Sequence, residues 1–177
     1  MSFTGELSGL WRRNDRTPNQ LVGVGFAAQG FSKGTYYVRK PDSFDPRANW
    51  IFDGIAADER IGDFGFAGNG ASGQEIDRYD RFLGSPPHAL ILASSEAHNY
   101  NMLLANEEFT STHLMVTADE NHDVRSDMVF FETTSGGAVF STGSISWIAS
   151  IAWNDCKNNC SRIMQNVLNR FLDPTPF

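Results

Sequence analysis

His88-Ala-Leu-Ile-Leu-Ala93 is apolar from Ala89 onward, with Pro86-Pro87 before it and Ser94-Ser95-Glu96 after it. A run this short, bounded by turn and polar residues, reads as a central strand buried on both faces, the pattern of a parallel sheet covered by helices. Working outward, Ser94-Ser-Glu-Ala-His98 then falls at the carboxyl end of that strand, where ligands gather in open parallel sheets. On the other side, Gln74 to Leu83 reads as a short helix stopped by Gly84-Ser-Pro-Pro87, and Gly62 to Gly73 is a glycine-rich segment. Further out, Leu21-Val-Gly-Val-Gly-Phe26 is expected to be a short buried strand and Thr35-Tyr-Tyr-Val38 another. Ser43 to Phe52 is expected to open a helix, with Asp45 as N-cap and Pro46 in the first turn.

Beyond the central run, Tyr100 to Phe109 is expected to be helical and Thr112 to Thr117 extended. Asp127 to Thr133 and Ala138 to Ser141 predict a hairpin around Ser135-Gly-Gly137. From Cys160 to Leu172, apolar residues recur at 163, 164, 167, 168, 171 and 172, an amphipathic helix ended by Asp173-Pro174. Strands interleaved with helices give the class α/β.

With 177 residues, the chain suits one domain with a single sizeable core. No apolar run approaches the ~20 residues that cross a bilayer, and Met1 to Glu6 carries no secretory pattern. A net charge of -7 argues against a nucleic-acid binder. Cys156 and Cys160, four apart, are expected on one helix face as packed or half-buried thiols, with neither disulfide nor zinc. The composition fits a soluble, cytoplasmic protein.

Gly68-Asn-Gly-Ala-Ser-Gly73 matches G-x-G-x-x-G, with Glu96 at the distance of a ribose-binding acid. The segment before it, Glu59 to Phe64, is charged at three of six positions and cannot be the apolar strand a dinucleotide site requires, so an irregular loop is expected. Glu75, Asp77 and Arg78 follow directly. A solvated face at a helix start is the ordinary reading, and the alternative lets Glu75 reach into a cleft as general base or acid. Ser94, Glu96 and His98 are too close in sequence to fold into a triad and lack the G-x-S-x-G frame, which leaves helix capping. His113, Asp119, Glu120 and His122 lack metal-ligand spacing and read as a polar loop. Ser141-Thr-Gly-Ser144 reads as a strand-to-helix turn with a capping hydroxyl.

An ordered set of segments adds to these local readings: Gly5-Glu6 with Gly9-Leu-Trp-Arg12, Leu21 to Phe26, Pro41-Asp-Ser-Phe-Asp-Pro-Arg47, Gly73-Gln-Glu-Ile-Asp-Arg78, Pro86-Pro-His-Ala-Leu90, Ala93-Ser-Ser-Glu96 and Gly137-Ala-Val-Phe-Ser-Thr-Gly-Ser144. In this order they resemble the C-terminal region of the N,N-dimethylformamidase large (beta) subunit, over essentially the whole chain. The resemblance implies hydrolysis of an N-substituted formamide to formate and dimethylamine, and a glutamine-amidotransferase-like (flavodoxin-like) sheet with flanking helices. Residues 1–177 would be one C-terminal domain, incomplete alone, within a hetero-oligomer. Its partners would be the upstream part of the large subunit and a small subunit, and its substrate a small amide.

The resemblance also implies an iron held by two tyrosines and a glutamate upstream of the matching region. None of Tyr36, Tyr37, Tyr79 or Tyr100 stands in a matching ligand motif, so no metal ligand is assigned to this chain. Gly73 to Arg78 looks like the family stretch that brings a further acid towards the iron, which makes Glu75 the catalytic candidate. No cysteine stands at a strand–helix elbow, so amidotransferase activity is not expected. The alternative is a catalytically silent amidotransferase-like domain that serves assembly. Fourteen phenylalanines and four tryptophans are a heavy aromatic load, from which apolar surface awaiting a partner is expected.

Overall fold

A computed structural model describes residues 11–105 and 121–177. Its described strands form two antiparallel sheets accompanied by a few helices. The four-stranded sheet has the order β2 (Tyr37–Arg39), β4 (Leu90–Ser95), β6 (Asp127–Glu132), β7 (Ala138–Ser141). The expected central strand is β4, buried at all of its positions except Ile91. Both of its neighbours run antiparallel to it, however, where a flavodoxin-like sheet would be parallel. Burial on both faces misled on this point, because an antiparallel strand enclosed between layers is just as apolar as a parallel one. The mixed α/β content stands; the parallel pairing does not.

The hairpin of β6 and β7 turns at Gly136, as expected, and pairs Val129 with Ser141 through to Glu132 with Ala138. One face of this sheet is sealed by α3 (Asn159–Leu172), by α2 (Ser146–Ile151) and by a 3-10 turn at Asn49–Phe52. Tyr37, Ile51, Leu92, Phe130, Trp147 and Ile163 form the centre of that core. The N-cap of α3 is Asn158, whose side chain accepts from Ser161 N at 2.9 Å. Cys160, Ile163 and Val167 of α3 are buried, whereas Leu168 and Leu172 face solvent. The two cysteines do not share a helix face. Cys156 lies exposed in a turn with left-handed backbone at residues 154–156, and only Cys160 is packed, its thiol pushed up to about 12 by burial.

In the second sheet the order is β3 (Ser72–Arg78), β1 (Gly25–Thr35), β5 (Leu103–Leu104). Four expectations give way, three of them around this sheet. Leu21 to Phe26 is not one strand: Pro18 opens a single helical turn, α1 (Pro18–Val22), and Gly23 closes it at φ 81 with its N–H on Asn19 O. Gln74 to Leu83 is not a helix, because Ser72–Arg78 pairs along β1 and the chain then turns through Asp80, whose Oδ1 accepts from Phe82 N. Asp45 does not cap a helix. It accepts from Arg47 N at 2.9 Å, a local turn that leaves short 3-10 turns at Pro41–Phe44 and Asn49–Phe52. From the expected helix at Tyr100 to Phe109, Leu103–Leu104 is strand, and residues 106–109 lie outside the described residues, as do Thr112 to Thr117. A second, smaller core of Ala28, Ile76, Met102, Leu104 and Val124 holds this sheet.

Candidate functional site

Strand β3 carries the candidate residue. Ile76 packs inward, fully buried, so Glu75 and Asp77 on either side of it share the opposite face. The loop after β7 runs along this strand like an extra edge. Asp77 N donates to Gly143 O at 2.8 Å, Ile145 N donates to Glu75 O at 3.3 Å, and Ile76 bridges Ser144. Ser144 Oγ accepts from Gly73 N at 3.0 Å and from Ser146 N at 3.2 Å, so it ties β3 to the first turn of α2. The N-cap position of α2 is Ile145, with no side-chain cap bond, so the hydroxyl expected to cap the helix serves instead to fix the turn to the strand.

Between β3, this loop and α2 lies a groove of about 480 Å3. Glu75 stands exposed at it, Asp77 is half-buried, and Val22, Val24, Phe140 and Ile148 supply apolar lining. The Asp77 carboxyl holds its proton above the usual carboxylate range, through desolvation first and the Glu75 charge second, with Arg12 opposing. Trp147 also lines the groove. It is 3% exposed, and its indole N–H has no acceptor among the described residues. Glu75 thus reaches a cleft from a strand and not from a flexible helix start. Asp77 escaped the sequence reading because it was counted with a solvated charge run. The two-residue spacing of the acids was the available signal, and it becomes informative only once the segment is known to be extended.

Ser94 to His98 borders a different cleft, of about 660 Å3, together with Lys40, His122 and Arg125. There Ser95 Oγ lies 2.8 Å and Ser72 Oγ 3.1 Å from His98 Nε2, and Ser126 N donates to Ser95 Oγ at 2.8 Å. Burial pushes His98 down to about 4, so its ring is neutral at pH 7. Among the described residues no acid completes this group: Nδ1 of His98 finds no hydrogen-bond partner among them, and Glu96 is turned to Lys40 at 3.3 Å. The hydroxyls and imidazole join β3 to β4 and the start of β6, a structural tie in place of the expected helix cap. His122 borders the same cleft, while His113, Asp119 and Glu120 lie outside the described residues. The Gly68 to Gly73 segment is turn and bend up to Ser72, with left-handed backbone at Gly68 and Asn69, in keeping with an irregular loop.

Three of the four tyrosines are occupied elsewhere, and Tyr100 is exposed. Tyr37 is fully buried and donates to Thr142 O at 2.6 Å, and its phenol is raised by desolvation. Tyr79 donates to Pro86 O, and Tyr36 lies under the Arg60 guanidinium. Among the described residues, no three His, Cys, Asp or Glu side chains converge on one point, and no tyrosine lines the groove. This donor set does not fit a tyrosine–carboxylate iron centre.

Compared with known proteins, residues 1–160 match the family described as N,N-dimethylformamidase beta subunit-like, C-terminal. The N,N-dimethylformamidase beta subunit of Paracoccus aminophilus is 43% identical over 175 residues, 99% of this chain and 23% of the relative. The subunit of the same name from Alcaligenes sp is 42% identical over the same shares. The chain therefore spans about a quarter of the length of the curated relatives it matches. No helix among the described residues is long and apolar enough to cross a membrane.

Proposed function

The chain belongs to the N,N-dimethylformamidase beta subunit-like C-terminal family, and from that premise we propose that it forms the C-terminal part of an amide hydrolase for N-substituted formamides, with Glu75 as a catalytic carboxylate. The observation that carries the reading is the setting of Glu75, an acid on a fixed strand at a groove lined by apolar side chains. Hydrolysis of a dialkylformamide forms a bond from water oxygen to the formyl carbon and breaks the bond from that carbon to nitrogen. A carboxylate placed there takes a proton from the attacking water and returns it to the departing amine. Val22, Val24 and Ile148 offer apolar contact for the N-alkyl groups.

The iron implied by the resemblance would draw its ligands from outside the described residues, since those present do not fit it. The upstream part of the large subunit and a small subunit are the proposed partners in a hetero-oligomer. Two unpaired cysteines suit a reducing compartment, and a cytoplasmic setting belongs to the proposal. One observation favours a second reading, a silent domain used for assembly: Ile145 and Ile148 are 57% and 76% exposed at the groove, as a covered face would be before its partner arrives.

Glu75→Gln in the full-length, assembled protein separates the two. A fall in kcat for N,N-dimethylformamide of about 10²-fold or more, at unchanged metal content and assembly, is expected for a general base or acid. Wild-type turnover would overturn the catalytic reading in favour of assembly.

A further inference from the structure

Resting on the assignment of Glu75, we propose that Ser144 is its positioning residue: the Ser144 hydroxyl clamps the Gly73 backbone and so holds the left-handed turn at Gln74 from which Glu75 projects to the groove.

Gln74 has φ 64, a backbone that is costly for a residue with a Cβ and that glycine adopts freely. It stands in a strand directly before Glu75, so the turn at Gln74 sets the direction in which the Glu75 backbone and side chain leave. A conformation of this kind persists only where its surroundings fix it, and sites of chemistry are where such conformations gather. Strand β1 does not supply the fixing. It pairs Gly30 with Gln74 and Thr35 with Ser72, and the register shifts between those pairs, at Gly73. The loop on the other edge does. Ser144 Oγ accepts from Gly73 N at 3.0 Å and donates to Gly73 O at 3.1 Å, so one hydroxyl serves both polar groups of the residue before the turn. Gly73 O belongs to the peptide that carries the Gln74 N–H, so holding it restrains rotation about φ of Gln74. On the far side of the turn, Ile145 N donates to Glu75 O at 3.3 Å. The turn is held at both ends.

The clamp is itself anchored. Ser146 N donates to Ser144 Oγ at 3.2 Å, which roots the hydroxyl in the first turn of α2. Gly73 leaves little slack: an added Cβ would lie 3.1 Å from Gly34 Cα and 3.4 Å from Ser146 Oγ, so the strand is pressed between β1 and α2 at this residue. Removing the hydroxyl takes away the partner of a buried N–H and lets the peptide before Gln74 rotate towards the extended backbone that glutamine prefers. Glu75 swings with that rotation, and a shift of about 1 Å at a reacting group can cost about 10²-fold in rate. The apolar lining from Val22, Val24 and Ile148 lies on other elements, so substrate binding is expected to survive where turnover does not.

The test is steady-state turnover of N,N-dimethylformamide by the full-length, assembled protein. Ser144→Ala is expected to lower kcat by about 10- to 100-fold with KM changed less than about 3-fold, at unchanged metal content. Adding Gln74→Gly to that variant separates positioning from bulk stability. Glycine keeps the left-handed backbone without a clamp, so the double variant is expected to recover about half of the lost kcat on a logarithmic scale. A serine that only stabilises the fold would lower the unfolding midpoint and leave kcat of the assembled enzyme alone, and that result overturns the proposal. A loss of kcat that the added glycine fails to recover overturns it too. If Ser144→Ala does not assemble, Gln74→Val is measured in its place, since a β-branched side chain resists the left-handed turn. A fall in kcat of the same size then supports the clamp, and wild-type kcat overturns it. Wild-type kcat in Ser144→Ala beside a disabled Glu75→Gln removes the clamp and leaves the catalytic carboxylate standing, whereas wild-type turnover in Glu75→Gln removes both.

Discussion

Strands β6 and β3 are nearly equal in length and meet across the same loop, yet they use their side chains in opposite ways. From Asp127 to Phe131 every residue of β6 is buried, with Met128 and Phe130 in the core that α3 and the 3-10 turn at Asn49–Phe52 complete. Strand β3 buries Ile76 and gives Glu75 and Asp77 to a groove. The first lies between two partners in its sheet, with a single register shift against β4 between Ile91 and Ala93. The second has register irregularities against β1 and a left-handed Gln74, and a loop lies along its free edge instead of a further strand. The lesson is one of division: the sealed sheet supplies rigidity, and the irregular strand beside it presents the chemistry that rigidity holds in place.

The largest effect should come from opening the sealed side. Phe130 is fully buried and meets Trp50 edge-to-face at 5.8 Å and Phe177 at 5.7 Å. Phe130→Ala is expected to cost about 3–5 kcal/mol, through lost transfer energy and the cavity left behind. The midpoint of urea unfolding reports it. A loss below ~1 kcal/mol would mean that this sheet is not the rigid half.

Next comes the tie between the halves. Serines of β3 and β4 converge on His98, whose pKa burial lowers from 6.5 to about 4. The unfolded chain takes up a proton near 6.5 and the folded chain resists it down to about 4. The stabilisation is thus fully present above pH 6.5 and is lost as pH falls towards 4, a difference of roughly 3 kcal/mol at most. Carboxylates titrate in the lower part of this window, so the measure is the difference in pH slope between the wild type and His98→Asn, from urea titrations between pH 7 and 4.5. Equal slopes would show that the tie carries none of the acid sensitivity.

What the sequence made legible follows the same division. The β6–β7 hairpin and α3 could be read because one period runs through each: a β-rich stretch before Gly136-Gly137 in one case, and a helical apolar stripe in the other. Strand β3 could not. Its face towards the second core offers one apolar side chain, Ile76, among charges that suit an exposed helix as well as a strand. The parallel sheet was inferred from β4 alone, whose composition reports burial and not direction. At the site, Glu75 was found through resemblance rather than pattern. Asp77, and the meeting of Ser72 with His98, depend on contacts between distant segments that no local period encodes.

A smaller effect is expected at the junction itself. Gly143 adopts φ 68, and a Cβ there would meet the carbonyl oxygens of Asp127 at 2.6 Å and Asp77 at 2.7 Å, one from each sheet. Both contacts are backbone, so no rotamer change relieves them. Gly143→Ala should cost about 2 kcal/mol from the left-handed backbone and the forced separation together. Because the loop withdraws from Asp77, kcat of the assembled protein should fall more than stability alone explains. Wild-type stability and turnover would show that the two strands are not coupled through this residue.

The smallest effect tests whether the open side stays open. Ile148 is 76% exposed at the groove, and Phe82, in a turn away from it, is 99% exposed. In the 177-residue chain, Ile148→Ser and Phe82→Ser each replace a solvated side chain, and both should stay within ~0.5 kcal/mol of wild type. The relatives are more than four times as long as this chain, and the groove is the face proposed to meet the rest of the large subunit. If that part covers it, Ile148 gains burial on assembly and Phe82 does not. Ile148→Ser should then cost on the order of 1 kcal/mol in the full-length protein alone, since each buried methylene contributes about 0.8 kcal/mol. Phe82→Ser should remain neutral in both. Thermal unfolding of the two variants in the two chain lengths gives four values. An Ile148→Ser effect equal in the long and short chains would leave the groove face uncovered, and the contrast between β3 and β6 would then hold in the assembled protein as it does in this domain.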